Sequence, residues 1–253
     1  MLSTRVIPCL LLKNESLVKT IRFGKLHYIG DPANTCRIFN ELEVDELAFL
    51  DISASTDGRQ PNYKILAEIA NECFMPVSYG GGVASVATAE KVLKLGFEKI
   101  ILNTAALKQV NLISDIAKTF GSQSVVVSID VKRNRWRKSQ CRSLSGSLNS
   151  KRCPIDWAKE VEDNGAGEIL LTSIDREGTW SGFDIDLVRS VADAVSIPVI
   201  ANGGAGGIDD IGRVVKEGHS SAVALGSMVV FQKKGLGVLV NFPDEKQLRE
   251  VIE

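Results

Sequence analysis

Short apolar runs rich in Val, Ile and Leu recur along the chain, separated by longer segments whose apolar positions return every three to four residues. The runs are "RVIPCLLL" (5–12), "ELAFLDI" (46–52), "MPVSYG" (75–80), "FEKIILN" (97–103), "QSVVVSIDV" (123–131), "GEILLTSI" (167–174), "IPVIAN" (197–202) and "SAVALG" (221–226). Continuous apolar runs of this length read as strands buried on both faces. The intervening "VATAEKVLKLG", "LISDIAKTFG", "DWAKEVEDNGAG" and "DIGRVVKEGH" read as amphipathic helices, each with a glycine near its end, as helix C-termini commonly have. Strict alternation of strand and helix predicts a parallel sheet with right-handed crossovers, and eight such units in 253 residues match a closed (β/α)8 barrel. An open doubly wound sheet is the alternative, and an internal repeat counts against it.

That repeat shows as two constant offsets. Residues 75–105 align without a gap on residues 197–227 at a shift of 122, which places Pro76 on Pro198, Gly81 on Gly203, Gly82 on Gly204 and, further upstream, Glu46 on Glu168. "RVIPCLLLK" aligns on "SVVVSIDVK" at a shift of 119, pairing Lys13 with Lys132 and Leu11 with Asp130. Two half-barrels of four units follow, and paired positions should face each other across the ring.

Composition narrows the reading. With 44% hydrophobic residues and no linker-like stretch, residues 1–253 are expected to form a single domain. Thirty basic residues against 31 acidic ones leave a net charge of −1, so nothing global attracts nucleic acid or an anionic membrane surface, and any charge attraction must be local. Five cysteines without a CxxC pair suggest a reducing cytoplasm, and the run from Ile7 to Leu12 is too short, with Pro8 inside it, for a signal peptide or a span.

In such a barrel the chemistry gathers at the C-terminal ends of the strands. There the chain places "YGGGV" (79–83) and "NTA" (103–105), echoed by "NGGAGG" (202–207) and "LGSM" (225–228). Glycines let a backbone approach a ligand, and free amides at helix starts hold phosphate. Gly81, Gly82, Asn103 and Thr104 on one side and Asn202, Gly203, Gly204, Gly226 and Ser227 on the other are therefore candidates for two phosphate sites across one mouth. The plainer alternative is that paired glycines only permit tight turns. Asp51, Asp130 and Asp175 end or follow strands two, five and six, where a carboxylate can exchange a proton; the structural alternative is an ion pair or a helix cap. Asp130, closing "VVVSID", is the strongest candidate.

At the opposite end, Arg5, Glu46, Lys99 and Glu168 lie near the starts of strands one, two, four and six. They could form a ring that closes the floor, or one with a gap for a small molecule. Other chemistries find little support. His27 and His219 have no metal-ligand spacing, "GGAGGI" is a weak dinucleotide fingerprint, and Cys9 and Cys73 read as core or near-core filler, so no metal or cofactor is expected.

"RVIPCL", "DELAFLDISAS", "YGGGV", "LNTAA", "AKTFGSQSVVVSID", "GAGEILLTSIDREGT", "SGFD" and "NGGAG" together resemble the cyclase subunit of imidazole glycerol phosphate synthase over nearly the whole chain. The resemblance implies a (β/α)8 barrel that binds a two-phosphate ribonucleotide across its mouth and receives ammonia along its axis from a glutaminase docked on the opposite face. It also implies that Arg5, Glu46, Lys99 and Glu168 surround the ammonia entrance, and that Lys19 and Gly178 belong with the phosphate-binding set.

The departures from the pattern point elsewhere. The family uses two aspartates, at the ends of strands one and five; the second matches Asp130, while the first falls on Leu11. The family's mobile first loop has become "ESLVKT", which keeps Lys19 but has Thr20 in place of glycine. The segment from Lys132 to Cys153 carries eight Lys or Arg and no acid; it reads either as a solvated, partly disordered loop or as a cover for an anionic ligand, with Trp136 able to stack on a ring. A kept floor and a halved acid pair make the chain similar to second-copy relatives associated with glycosyl amidation. There an acetamido sugar of a bacterial surface polysaccharide becomes an acetamidino sugar, with a separate amidotransferase as the user of ammonia. The alternatives are an authentic cyclase in which Asp51 or Asp175 substitutes, and a non-catalytic conduit that activates its glutaminase.

Overall fold

The computed structural model describes residues 4–253. In chain order the strands are β1 (Arg5–Lys13), β2 (Ser16–Lys19), β3 (His27–Gly30), β4 (Leu47–Asp51), β5 (Val77–Gly80), β6 (Lys99–Leu102), β7 (Val125–Arg133), β8 (Ser139–Ser143), β9 (Leu148–Asn149), β10 (Glu168–Ser173), β11 (Val199–Asn202) and β12 (Ala222–Leu225). The helices are α1 (Pro32–Glu41), α2 (Tyr63–Glu72), α3 (Val86–Lys94), α4 (Thr104–Lys108), α5 (Asn111–Phe120), α6 (Pro154–Asp163), α7 (Ile185–Ala192), α8 (Ile208–Lys216), α9 (Ser227–Val230) and α10 (Glu245–Ile252).

Parallel pairing runs from β1 through β4, β5, β6, β7, β10, β11 and β12, and β12 pairs back onto β1 with Arg5 opposite Ala222 and Pro8 opposite Leu225. The eight apolar runs thus close into a (β/α)8 barrel, and an open sheet is excluded. Alternation along each strand divides the core into two layers. Ile7, Cys9, Ala48, Ile101, Val126, Leu170, Ile200, Ala222 and Ala224 fill the barrel axis. Val6, Leu10, Leu12, Val125, Val127 and Ile129 point outward to the helices. Burial of each such aliphatic side chain contributes about 1.5–3 kcal/mol, and an inward one-residue slip would exchange the two layers.

Local chemistry sets the helix ends. The Asp31 carboxylate accepts the Asn34 N–H at 2.8 Å ahead of Pro32, and the Ser85 hydroxyl accepts the Thr88 N–H at 3.1 Å. At the other end of α5, Gly121 takes φ +90° while its N–H reaches the Ala117 carbonyl at 2.8 Å.

The remaining strands form two antiparallel extensions. β2 and β3 continue from β1, with Leu11 opposite Val18; β8 and β9 continue from β7, with Asp130 opposite Arg142. These strands are the 119-residue echo: both are nine residues long, both overrun the ring, and both turn back as hairpins. The segment 132–153 is therefore an ordered arm rather than a loose loop. Its order follows from Val131 and Cys141, which pair across the arm and are both buried, so a chain rich in charge still has an apolar seam.

Candidate functional site

The C-terminal ends of the barrel strands surround a cavity with about 120 Å³ open to water, lined by Cys9, Leu11, Lys19, Asp51, Asn103, Asp130 and Glu177 among others. Cys9 and Leu11 face it from β1, and their 119-residue counterparts Ser128 and Asp130 face it from β7. The first strand is therefore in register with the fifth, and Leu11, 7% exposed, occupies the position that corresponds to Asp130.

Asp130 accepts from the Ser128 hydroxyl at 3.0 Å and from the Asn103 amide at 3.3 Å. Removal from water is the dominant influence and raises its pKa from 3.8 to about 6, against the opposing hydrogen bonds of Ser128 and Thr172. An acid so tuned can both lose and regain a proton near neutrality. Cys9 sits nearby, where burial pushes its thiol up to about 12, so it stays protonated and acts as packing rather than as a nucleophile.

The other two aspartates differ. Asp51 lines the cavity, but Arg59 holds both of its oxygens at 2.8 Å, and the backbone N–H groups of Ser53 and Ala54 donate to it at 3.0 Å each. Its geometry is that of an ion-paired turn cap. Asp175 is not brought to the cavity: its carboxylate accepts the Arg133 N–H at 2.9 Å.

The two glycine clusters lie on different sides of the mouth. Gly81, Gly82, Asn103 and Thr104 line the main cavity. Lys19, Gly178, Asn202, Gly203, Gly204, Gly226 and Ser227 surround a smaller recess beside it. Both glycine pairs have a steric cause as well: Gly81 and Gly203 have φ +123° and +92°, and a Cβ would press on the Asp51 and Ser173 carbonyls at 2.5 and 2.8 Å. Thr104 accepts the Leu144 N–H at 3.0 Å, tying the second arm to the rim.

Sequence reasoning missed Glu177. It is buried in the recess, paired with Lys19, and its second oxygen accepts the Phe23 N–H at 3.1 Å. The Arg22 N–H donates to the Glu177 carbonyl at 2.9 Å, so one residue after β10 clamps the whole first arm over the mouth. The motif "SIDREGT" contains the residue, yet only the β2–β3 hairpin brings Lys19 to it across 158 positions.

At the floor, Arg5 bridges Glu46 at 2.6 Å and Glu168 at 2.7 Å, while Lys99 reaches the same carboxylates at 3.0 and 3.2 Å. The four form a closed, charge-balanced ring. Burial works against the Arg5 charge, but Glu168 and Glu46 outweigh it and hold the guanidinium above its ordinary pKa. Above the ring, Ile7, Ala48, Ile101, Val126, Leu170, Ile200 and Ala224 line a small void, together with Ser78 and the ring's own Glu46. Ile101 also lines the mouth, so ring, void and mouth lie in succession along the axis.

Fold and site together define a (β/α)8 barrel with a glycine-lined mouth and a charged floor. Comparison with known proteins specifies the family: the one described as "Histidine biosynthesis protein" matches residues 5–234. The chain is 51% identical over 248 residues to the "Putative imidazole glycerol phosphate synthase subunit hisF2" of Pseudomonas aeruginosa, covering 98% of this chain and 99% of that one. It is 45% identical over 245 residues to the "Putative imidazole glycerol phosphate synthase subunit HisF" of Leptospira borgpetersenii, covering 96% of each chain. A similar "Putative imidazole glycerol phosphate synthase subunit hisF3" of Vibrio vulnificus shares 41% identity over 254 residues, covering all of this chain and 98% of its own. The chain belongs to the histidine biosynthesis protein family, as a paralogue of the HisF subunit.

Proposed function

We propose that this barrel receives ammonia from a glutaminase subunit docked on the floor face, and that it serves acetamidino-sugar formation in surface polysaccharide rather than the cyclisation of the histidine pathway. In this reading residues 1–253 act as one barrel domain, Arg5, Glu46, Lys99 and Glu168 guard the entrance, and a separate amidotransferase uses the ammonia. The mostly apolar lining of the void suits NH3, and its one carboxylate, Glu46, is already paired with Arg5 and Lys99, so it offers no free charge to hold an ammonium ion. The glycine clusters, with Lys19, Asn103, Thr104, Asn202 and Ser227, would hold phosphate groups of a small ligand, and Asp130 would be the acid left to move a proton. The names of the Pseudomonas and Vibrio relatives carry the numerals 2 and 3, consistent with additional copies.

One observation carries the proposal: Leu11 stands in register where a second carboxylate would face Asp130, above an intact floor ring. An alkyl side chain transfers no proton, and loss of a general acid or base removes roughly 10²- to 10⁴-fold in rate, about 3–5 kcal/mol. Complementation tests this. The chain should fail to rescue a cyclase-deficient histidine auxotroph, and full rescue would refute the proposal.

A second reading, an authentic cyclase with a substitute acid, is favoured by Glu177, which lines the same cavity as Asp130. It predicts steady turnover of the two-phosphate ribonucleotide with ammonium salts and loss of that turnover in Glu177→Gln. A pure conduit would instead keep stimulating its glutaminase after Asp130→Asn.

A further inference from the structure

The balanced total charge conceals two acid-free stretches, residues 131–155 and 218–243. The structure carries both to the mouth face. The first is the β8–β9 arm with the turn that precedes it. From Asp130, at the mouth, the strand continues to the turn at Asn134, so the tip projects on the order of 15 Å beyond the mouth at ~3.3 Å per residue. At its apex Trp136 is 82% exposed, and Arg135, Arg137 and Lys138 surround it, all exposed. The turn is built to hold that side chain out: the Asn134 side-chain oxygen accepts the N–H groups of Trp136 at 2.9 Å and Lys138 at 3.0 Å, and Arg137 takes φ +58°.

The second stretch follows β12 and α9. Lys233 and Lys234 precede Leu236, Val238 and Leu239, each more than 40% exposed. Phe231 pairs with Val238 and packs edge-on against His27 at 6.3 Å, so this segment adjoins the β2–β3 hairpin, where Tyr28 is 68% exposed. Strand β7 is the fifth of the ring and β1 the first, so the two tips stand on opposite sides of the mouth.

We propose that this rim docks on an anionic lipid bilayer, with Trp136 and residues 236–239 as two apolar feet and the flanking cations on the headgroups. Tryptophan suits the membrane interface, and each nearby Lys or Arg strengthens attraction to anionic lipid about fivefold. An acidic protein would answer the cations, but exposed Leu and Val at loop tips are uncommon anchors at protein interfaces, whereas acyl chains accept them without a shaped pocket. Among the described residues no helix is long and apolar enough to cross a membrane, so contact of this kind would be peripheral. It leaves the floor face free and stands independently of the ammonia chemistry.

Flotation of the purified full chain with vesicles of mixed phosphatidylcholine and phosphatidylglycerol, against phosphatidylcholine alone, provides the test. Binding should require the anionic lipid and weaken with salt. Arg135→Gln with Arg137→Gln should lower partitioning about 25-fold. A blue shift of tryptophan emission on binding should be present in the wild type and absent from Trp136→Phe, and Leu236→Ser with Leu239→Ser should weaken binding while the circular dichroism spectrum stays unchanged. Failure to bind anionic vesicles, or binding that ignores these substitutions, overturns the proposal. Equal affinity for soluble polyglutamate without the blue shift also overturns it and assigns the arm to an acidic protein.

Discussion

Leu11→Asp places a carboxylate at the mouth position that corresponds, through the 119-residue offset, to Asp130. Its cost follows from the surroundings. Leu11 is 7% exposed and paired in register with Leu50 and Val18, so its burial contributes about 1.5–3 kcal/mol that a carboxyl group does not recover. The new acid would share a low-polarity cavity with Asp130, whose pKa already stands at about 6, and two neighbouring carboxylates do not ionise independently. One proton shared between them is the expected state near neutrality, which is the arrangement an acid–base pair needs. The variant should therefore unfold at lower denaturant concentration than the wild type. It should nevertheless gain cyclase turnover with ammonium salts by roughly 10²-fold or more. Single-turnover assays with the two-phosphate ribonucleotide measure the gain, and urea titration measures the cost. A folded Leu11→Asp protein with no gain, measured beside a wild type that binds the ribonucleotide, would refute the view that Leu11 is what limits proton transfer.

Three further outcomes follow from the same geometry. Asp130 has a folded pKa raised above its ordinary value, so its contribution is fully present below about pH 4 and is lost as pH rises through about 6; Asp130→Asn should be more stable than the wild type at pH 8 by up to about 3 kcal/mol, and no more stable at pH 4, by urea unfolding at both pH values. Glu177→Gln leaves the buried Lys19 cation without its counter-charge and leaves one amide oxygen to serve either Lys19 or the Phe23 N–H, so stability should fall by about 3–5 kcal/mol, with faster hydrogen exchange concentrated in residues 16–26. Gly204→Ala forces a Cβ onto the Gly182 carbonyl at φ +116°, and should lower stability by about 2 kcal/mol or more whether or not a phosphate analogue is present.

The ring was legible because its cause is periodic. Apolar runs, glycine-ended helices and two constant offsets all encode the same half-barrel, and a closed ring follows once the halves repeat. The floor was legible for a related reason: Arg5, Glu46, Lys99 and Glu168 stand at strand starts, and a barrel brings strand starts together. The arms were not legible. β8 buries Cys141 and Ser143 while Gln140 and Arg142 are half-buried, but the polar and charged residues around them mask that period, and only pairing with β7 shows which side is buried. Glu177 and Arg59 were missed because each acts across a turn or a hairpin. A carboxylate after a strand reads identically in sequence whether it faces a cavity, as Asp130 does, or an arginine, as Asp51 does.

The separation of floor from mouth would let one barrel keep one role while losing another. β1 contributes Arg5 to the ring and Leu11 to the mouth, with Ile7 and Cys9 stacked between them on the axis. Apolar side chains separate the two ends along the axis, so a change at residue 11 should leave the ring's four ion pairs in place. The reverse holds for Lys19, which belongs to an arm rather than to the ring and answers to Glu177 on the opposite half. Selection on the mouth can then act through residue 11 and the two arms without disturbing the floor. The repeat makes this possible, since each half supplies one strand that overruns the ring and can be altered alone. Under the proposed function, a mouth with one carboxylate above a complete ring of ion pairs is the arrangement expected when the source of a small nucleophile is retained and its destination has changed.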